Sequence, residues 1–171
     1  ASKDTNLTGT RELHEAAPGV VFMFPGQGSQ YVNMGRDLCH SEPIFKQHFD
    51  LCCDLFAEEF GTSLRDIIFP KAGEEEKAAE QLKQTIYTQA SLFTMHYSLA
   101  KLWMNWGIVP DAMMGHSIGE FAAGCLAGVF SLEDAVKLVA NRGRMMQELP
   151  GGSMLSVRAA EEDVVKRLPA G

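Results

Sequence analysis

The chain has 171 residues, of which 46% are hydrophobic and 22% are charged, and its net charge is −7. This composition is typical of a globular protein with one sizeable core and part of a second. No apolar run of about 18 residues occurs, so we expect no membrane span. The acidic balance argues against general nucleic-acid binding, because there is no overall basic field to displace counterions from phosphate.

The N-terminal segment 1–19 is polar and mixed in charge, without the apolar stretch of a signal peptide. We interpret it as a linker or boundary segment. The four cysteines form no C-x-x-C pair and no dense framework. That pattern is typical of reduced thiols in a cytosolic protein, so we predict a cytoplasmic location and no metal site.

Short apolar runs and longer stretches with helical spacing alternate along the chain, which favours an α/β fold. The first strand ends at a Gly-rich loop, "PGQGSQ" (25–30). Ser41, with Glu42-Pro43, is the predicted start of the first helix. Ser131 and Asp134 form a capping-box-like start for a later helix. The predicted strands are 19–24, 111–114 and 153–158, and the predicted helices are 41–60, 73–84, 88–107, 118–128, 131–149 and 159–171.

The segment "MMGHSIGE" (113–120) places Ser117 between Gly115 and Gly119. The order strand, G-x-S-x-G turn and helix is that of a nucleophile elbow, in which glycines two positions to either side relieve steric crowding. The alternative is a Gly-rich turn whose serine caps the following helix. We favour the elbow, since the motif lies in the context that it requires.

A tetrahedral intermediate at Ser117 would need donors for its oxyanion. The backbone N–H of Ile118, at the start of the helix, is one candidate, and the N–H of Gln27 in the Gly-rich loop is a second. A serine also needs a base, yet His14, His40, His48, His96 and His116 all precede Ser117. His116 is adjacent to Ser117, and neighbouring side chains on a tight turn diverge, so we expect it to shape the pocket or to be structural.

The motifs "FPGQGSQ" (24–30), "YTQASLF" (87–93), "GHSIGE" (115–120) and "RGRMMQELPGGSML" (142–155) occur in this order. Together they resemble the acyltransferase family of fatty acid and polyketide synthesis, from about Val20 to the end of the chain. The resemblance implies an α/β-hydrolase-like large subdomain with a nucleophile elbow at 20–150, and the first strand and helix of a small ferredoxin-like subdomain at 151–171.

The resemblance also implies ping-pong covalent catalysis. An acyl group passes from coenzyme A to Ser117, and then to the phosphopantetheine thiol of an acyl carrier protein. No permanently bound cofactor is implied; the coenzyme A thioester is the substrate. By motif match, Gln27 and Ile118 supply the oxyanion amides and Gln89 lines the pocket, although Ala90 stands where many relatives have proline. Arg142 matches the arginine that binds the free carboxylate of malonyl-type substrates, a task that suits a planar guanidinium.

Malonyl is the predicted acyl group, because Ile118 replaces the glutamine that methylmalonyl-selecting relatives often carry, and "TIYTQ" (85–89) lacks their "VDVVQ" pattern. Other carboxylated units stay open. The partners implied are malonyl-CoA, the carrier protein and flanking synthase domains. The family's histidine base lies later in the large subdomain, so we interpret the chain as an N-terminal portion that is inactive alone. The alternatives are a non-catalytic structural or docking piece and a serine esterase of α/β-hydrolase type.

Overall fold

The computed structural model describes residues 19–150 and 157–168, which form two strands and eight helices within those ranges. The predicted strand at 153–158 lies largely outside the described residues, and Val157 and Arg158 are not in a strand. The elements are β1 Val21–Phe24, α1 Arg36–Ser41, α2 Pro43–Phe60, α3 Leu64–Ile68, α4 Glu75–Lys83, α5 Thr85–Asn105, β2 Ala112–Gly115, α6 Ile118–Leu126, α7 Leu132–Glu148 and α8 Glu161–Val165.

The two strands pair in parallel, in a register that runs from Val21 opposite Ala112 to Phe24 opposite Gly115. Five helices, α1 to α5, form the connection between them, as a parallel pair requires a long crossover. Because both strands run in the same direction, their carboxyl ends lie next to each other at the same end of the sheet. The Gly-rich loop after β1 and the turn after β2 therefore lie side by side.

Helix α5 is the centre of the core and packs against α2, α6 and α7. Its residues from Thr88 to Ser98 are all buried, so it has no solvated face over three turns. Helix α2 covers it with an apolar stripe at helical spacing, Phe45, Phe49 and Phe56, all fully buried. Burying each such ring contributes about 1.5–3 kcal/mol relative to leaving it exposed.

The starts of helices α2 and α7 were both predicted from local sequence. Helix α2 begins at Pro43, whose missing N–H costs nothing at a first helical position, whereas Ser41 is the last residue of the separate short helix α1. The prediction of Ser41 as the start was therefore wrong by two residues. The capping prediction for α7 is confirmed, since the Ser131 hydroxyl accepts from the N–H of Asp134 at 3.0 Å.

Helix α7 is fastened to its neighbours at several points near its C-terminal end. The Gln147 side chain accepts from the N–H of Thr85 at 2.7 Å, which ties α7 to the start of α5. Arg144 pairs with Glu59 at 3.4 Å, which ties α7 to α2. A Cβ at Gly143 would lie 2.8 Å from the Cα of Ile86, so only glycine permits this approach to α5.

Within the ranges described, no helix combines the length and apolar composition needed to cross a bilayer.

Candidate active site

Ser117 occupies the turn between β2 and α6, with φ 56° and ψ −111°. This backbone conformation lies in the positive-φ half of the map that side chains with a Cβ rarely adopt. A non-glycine residue held there costs about 1–3 kcal/mol and persists only where the surrounding structure imposes it. The serine hydroxyl does not cap α6. The capping alternative considered for this motif therefore does not hold, and the strand, turn and helix form an elbow.

The two glycines of the motif are required by backbone contacts. A Cβ at Gly115 would lie 2.1 Å from the carbonyl carbon of Gly119. A Cβ at Gly119 would lie 2.4 Å from the carbonyl oxygen of Phe24, at the end of β1. Both obstacles are main-chain atoms, which cannot turn aside as a side chain can. Main-chain atoms thus form the nearest contacts of the elbow with itself and with β1.

A carboxylate fastens the elbow from its outer side. The backbone N–H of Gly115, the last residue of β2, donates to the Glu120 side chain at 2.7 Å. Glu120 lies in the first turn of α6, where the helix dipole favours negative charge. The bond joins the residue that enters the turn to the helix that leaves it. Glu120 was not predicted as a site residue, although its acidic character at a helix start is visible in the sequence.

The Gly-rich loop is held directly against the elbow. The N–H of His116 donates to the carbonyl of Phe24 at 2.9 Å, which extends the strand pairing into the turn. A Cβ at Gly26 would lie 2.3 Å from Nδ1 of His116, so the imidazole packs on the loop backbone. Within the loop, the N–H of Gly28 donates to the Gln30 side chain at 2.8 Å. His116 thus contacts the backbone of the Gly-rich loop.

Arg142 reaches Ser117 from α7. Its Nη2 donates to the serine Oγ at 3.0 Å. Its guanidinium carbon lies 5.5 Å from the centre of the Phe121 ring, within the range of a cation–π contact. Its Nη1 is buried and has no hydrogen-bond partner among the described residues. A cationic fork whose Nη1 has no hydrogen-bond partner among the described residues therefore lies beside the hydroxyl of the elbow.

Gln89 lies at the junction of α5, the loop and α7. It is fully buried. Its Nε2 donates to the Gln27 side chain at 3.4 Å and to the sulfur of Met146 at 3.1 Å. Its Oε1 is buried without a hydrogen-bond partner in the part of the chain that the structure describes. A second unused polar atom thus lies near the loop, in addition to Nη1 of Arg142.

The described histidines other than His116 are engaged away from the serine. His40 contacts the Arg36 carbonyl through Nδ1 at 2.8 Å, and His48 packs edge-on against Tyr97. His96 packs against Phe24 with ring centres 5.6 Å apart, and burial lowers its pKa to about 4. Burial, followed by the charge of Lys101, also lowers the pKa of His48. Throughout 19–150 and 157–168, no cluster of three His, Cys, Asp or Glu side chains could hold a metal ion.

The structure brings the predicted site residues together in two linked groups. Ser117 and Arg142 are in direct contact, as are Gln27 and Gln89. His116 joins the groups through the loop, and Ile118, fully buried, opens α6 directly after the serine. Phe121 and Met146 were missed. Phe121 lies three residues after Ile118 on α6 and Met146 lies four residues after Arg142 on α7, and this i, i+3 or i, i+4 spacing is the signal that could have found them.

Comparisons with known proteins identify the family of the chain. The sequence model of the acyl transferase domain matches residues 21–170. The chain is 42% identical over 158 residues to a phenolphthiocerol/phthiocerol polyketide synthase protein of Mycobacterium tuberculosis, covering 91% of this chain and 10% of that protein. The solved acyl transferase domain of ZmaA superposes with a TM-score of 0.83 at 43% identity, covering 91% of this chain and 36% of that domain.

A further solved neighbour is a malonyl-transacylase in complex with its type II polyketide synthase acyl-carrier protein. It superposes with a TM-score of 0.66 at 32% identity, covering 78% of this chain and 40% of the other. The chain thus spans little more than a third of the solved chains it matches. The chain belongs to the acyl transferase family, as the N-terminal portion of an acyltransferase domain of the polyketide synthase type.

Proposed function

We propose that the domain to which this chain belongs loads a malonyl-type acyl group from coenzyme A onto Ser117 and passes it to an acyl carrier protein. The observation that carries the proposal is the Arg142 guanidinium on the hydroxyl of the strained elbow, with a contact of 3.0 Å. A serine alone would fit many acyl-transfer enzymes. A guanidinium beside it favours acyl groups that end in a carboxylate, since the planar fork can bind both carboxylate oxygens.

The reaction proceeds in two transfers at one atom. Ser117 Oγ attacks the thioester carbonyl while a base takes its proton. The C–S bond then breaks, and the proton passes to the departing coenzyme A sulfur. The phosphopantetheine thiol of the carrier protein next attacks the acyl-serine ester, and its proton returns through the base to Oγ. In each half the oxyanion is stabilised by the N–H groups of Gln27 and Ile118, of which the latter lies at a helix start, where N–H groups lack helical partners.

The unused polar atoms near the serine suit a carboxylated acyl group. Nη1 of Arg142 is buried and unpartnered in the region described, so a substrate carboxylate would supply its acceptor. Gln89, bonded to Gln27 and Met146, would line the same pocket. We propose malonyl as the preferred group, on the grounds of Ile118 after the serine. The similarity to a malonyl-transacylase in complex with a carrier protein supports both substrate and acceptor.

We further propose that these 171 residues lack the catalytic base and are inactive alone, as an N-terminal portion completed by later residues of the same domain. An open surface supports this. Val20 and Phe24 accept hydrogen bonds on the β2 side, so the backbone groups of Val21 and Met23 point to the opposite edge of β1. Val21 and Met23 are 52% and 71% exposed. In the part of the chain described, that edge has no strand partner.

A cavity of about 560 Å³ runs along this open edge, between β1 and the apolar side of α5. Leu99 and Trp103 form part of its wall, and His96 contributes a buried Nδ1 with no partner among the described residues. We propose that later residues of the domain cover this apolar groove and the unpaired strand edge, which would otherwise be exposed to solvent. We also propose a cytoplasmic location, consistent with the free thiols of Cys52 and Cys53, and flanking synthase domains.

Intact-mass measurement after addition of malonyl-CoA tests the proposal. The chain extended to a whole acyltransferase domain should gain one malonyl group, and its Ser117→Ala variant none. The 171-residue chain should stay unmodified. Rapid stoichiometric acylation of the short chain would refute its inactivity. Failure of the whole domain to be acylated at Ser117 would refute the function, and hydrolysis of neutral esters without transfer to carrier protein would favour an esterase.

A second measurement addresses the carboxylate. Replacing Arg142 by lysine keeps the positive charge but removes the fork, and replacing it by alanine removes both. Loss of two charge-assisted hydrogen bonds should lower kcat/KM for malonyl-CoA about 100-fold or more in the alanine variant. Acetyl-CoA, which has no free carboxylate, is the control substrate and should lose far less. Equal losses on both substrates would contradict a carboxylate-binding role for Arg142.

A further inference from the structure

The guanidinium of Arg142 has two neighbours that differ in kind. Ser117 Oγ accepts from one end of the fork at 3.0 Å. The ring of Phe121 lies under the guanidinium carbon at 5.5 Å. Phe121 lies on α6, one turn after Ser117, so the helix that follows the serine also supports the arginine. We propose that Phe121 is a positioning residue that sets the plane of the Arg142 guanidinium, and thereby the preference for carboxylated acyl groups; this inference rests on the proposed function.

A single hydrogen bond leaves the orientation of the Arg142 guanidinium undetermined. The bond from Nη2 to Ser117 fixes one end of the fork, but the guanidinium can still turn about that contact. Nη1, buried without a partner in the described residues, does not restrain it. The face of an aromatic ring attracts a cation through its quadrupole. The ring therefore supplies the second restraint and limits the orientation of the fork.

Orientation matters here because a carboxylate is planar. A guanidinium binds it with two parallel N–H···O bonds only when the two planes match. A tilted fork keeps its charge but forms one good bond instead of two. The effect should thus be felt by an acyl group that carries a carboxylate, and much less by one that does not.

An aliphatic side chain at position 121 would fill similar space without offering a quadrupole. Phe121 is half-buried and packs against the core, so leucine can occupy its site with modest loss of packing. Tyrosine keeps the ring face and is the matched control. The comparison of these two variants separates the role of the ring from the role of bulk.

The test uses the whole acyltransferase domain and compares malonyl-CoA with acetyl-CoA. The malonyl-to-acetyl ratio of kcat/KM should fall roughly 2- to 30-fold in Phe121→Leu, chiefly through KM for malonyl-CoA. Phe121→Tyr should restore the ratio to within about twofold of the unaltered domain. An unchanged ratio in Phe121→Leu, or equal losses on both substrates, would overturn the inference.

A double variant distinguishes this inference from the proposed function. In a domain that carries Arg142→Ala, the further change Phe121→Leu should leave the ratio unaltered, because no guanidinium remains to be oriented. If Arg142→Ala itself leaves the ratio unchanged, the proposed carboxylate site fails. If only Phe121→Leu leaves it unchanged, the positioning role alone fails.

A spectroscopic measurement needs no variant to fold. In the whole acyltransferase domain, the side-chain protons of Arg142 should show NMR shifts displaced upfield by the ring current of Phe121. Arg144 lies over a different ring, Phe60, at 5.7 Å, and serves as an internal standard for a stacked arginine. Arg142 shifts typical of a free arginine would overturn the inference.

Discussion

The backbone conformation of Ser117 predicts that glycine at this position gives a more stable fold than alanine. Its φ of 56° and ψ of −111° suit glycine, which has no Cβ to clash. Ser117→Gly should therefore relieve the strain, whereas Ser117→Ala keeps the Cβ and the strain with it. Both variants lose the Oγ that accepts from Arg142, so the effect of that bond cancels in the comparison. The glycine variant should be the more stable of the two.

The size of the difference follows from two opposing contributions. Relief of a non-glycine residue from this region stabilises the folded state by about 1–3 kcal/mol. The greater freedom of glycine in the unfolded chain offsets about 0.5–1 kcal/mol of this. At mid-range values the net gain is about 1 kcal/mol in favour of glycine. For a chain of this length, that corresponds to a rise in Tm of about 2–4 °C.

Thermal and urea denaturation of the two variants, followed by far-ultraviolet circular dichroism and tryptophan fluorescence, measure the difference. Coincidence of the two signals would show that one cooperative transition is being compared. An alanine variant as stable as the glycine variant, or more stable, would refute the reasoning. The elbow would then hold Ser117 without strain.

Two further predictions concern stability. Gly115→Ala should destabilise the chain by about 3 kcal/mol or more, because its Cβ would lie 2.1 Å from a backbone carbon. Gly124→Ala in α6 is the matched control, since the atom nearest to its Cβ would be a Phe130 side-chain carbon at 3.0 Å. It should be neutral or stabilising in the same denaturation assay. Burial lowers the pKa of His96 to about 4, so as the pH falls this histidine is protonated in the unfolded chain before it is protonated in the folded one. The stabilisation from this histidine is fully present above pH about 6.5, and the free energy of unfolding falls by about 3 kcal/mol as the pH drops from there to about 4. His96→Leu should not show this loss. Curves of unfolding free energy against pH that run parallel for the two proteins would contradict the prediction.

The elbow could be predicted from the sequence because its determinants are local. A short apolar run, two glycines at fixed positions and a following helix with small residues specify a strand, a tight turn and a helix without reference to the rest of the chain. The cap of α7 was predictable for the same reason, since Ser131 and Asp134 are three residues apart. The resemblance of the motifs to a known family then indicated which side chains to consider.

Contacts between distant segments were not predictable in the same way. The contact between Arg142 and Ser117 joins residues 25 positions apart and depends on how α7 packs on α5. The short helices α1 and α3 were missed because five or six residues carry too little periodicity to distinguish a helix from a turn. Helices α1 and α2 are separated at Glu42, whose φ is −120°. This break depends on tertiary packing, and a glutamate at that position does not predict it.

The glycine contacts around the elbow divide the site into parts that differ in their tolerance to change. Main-chain atoms of β1, β2 and α6 touch at Gly115 and Gly119, so no repacking of side chains can move the serine while these contacts remain. Arg142, Gln89 and Met146, by contrast, reach the site as side chains from α5 and α7. Under the proposed function, substitutions on those two helices would change which acyl group is accepted without displacing Ser117 Oγ. Substitutions at the turn itself would displace it.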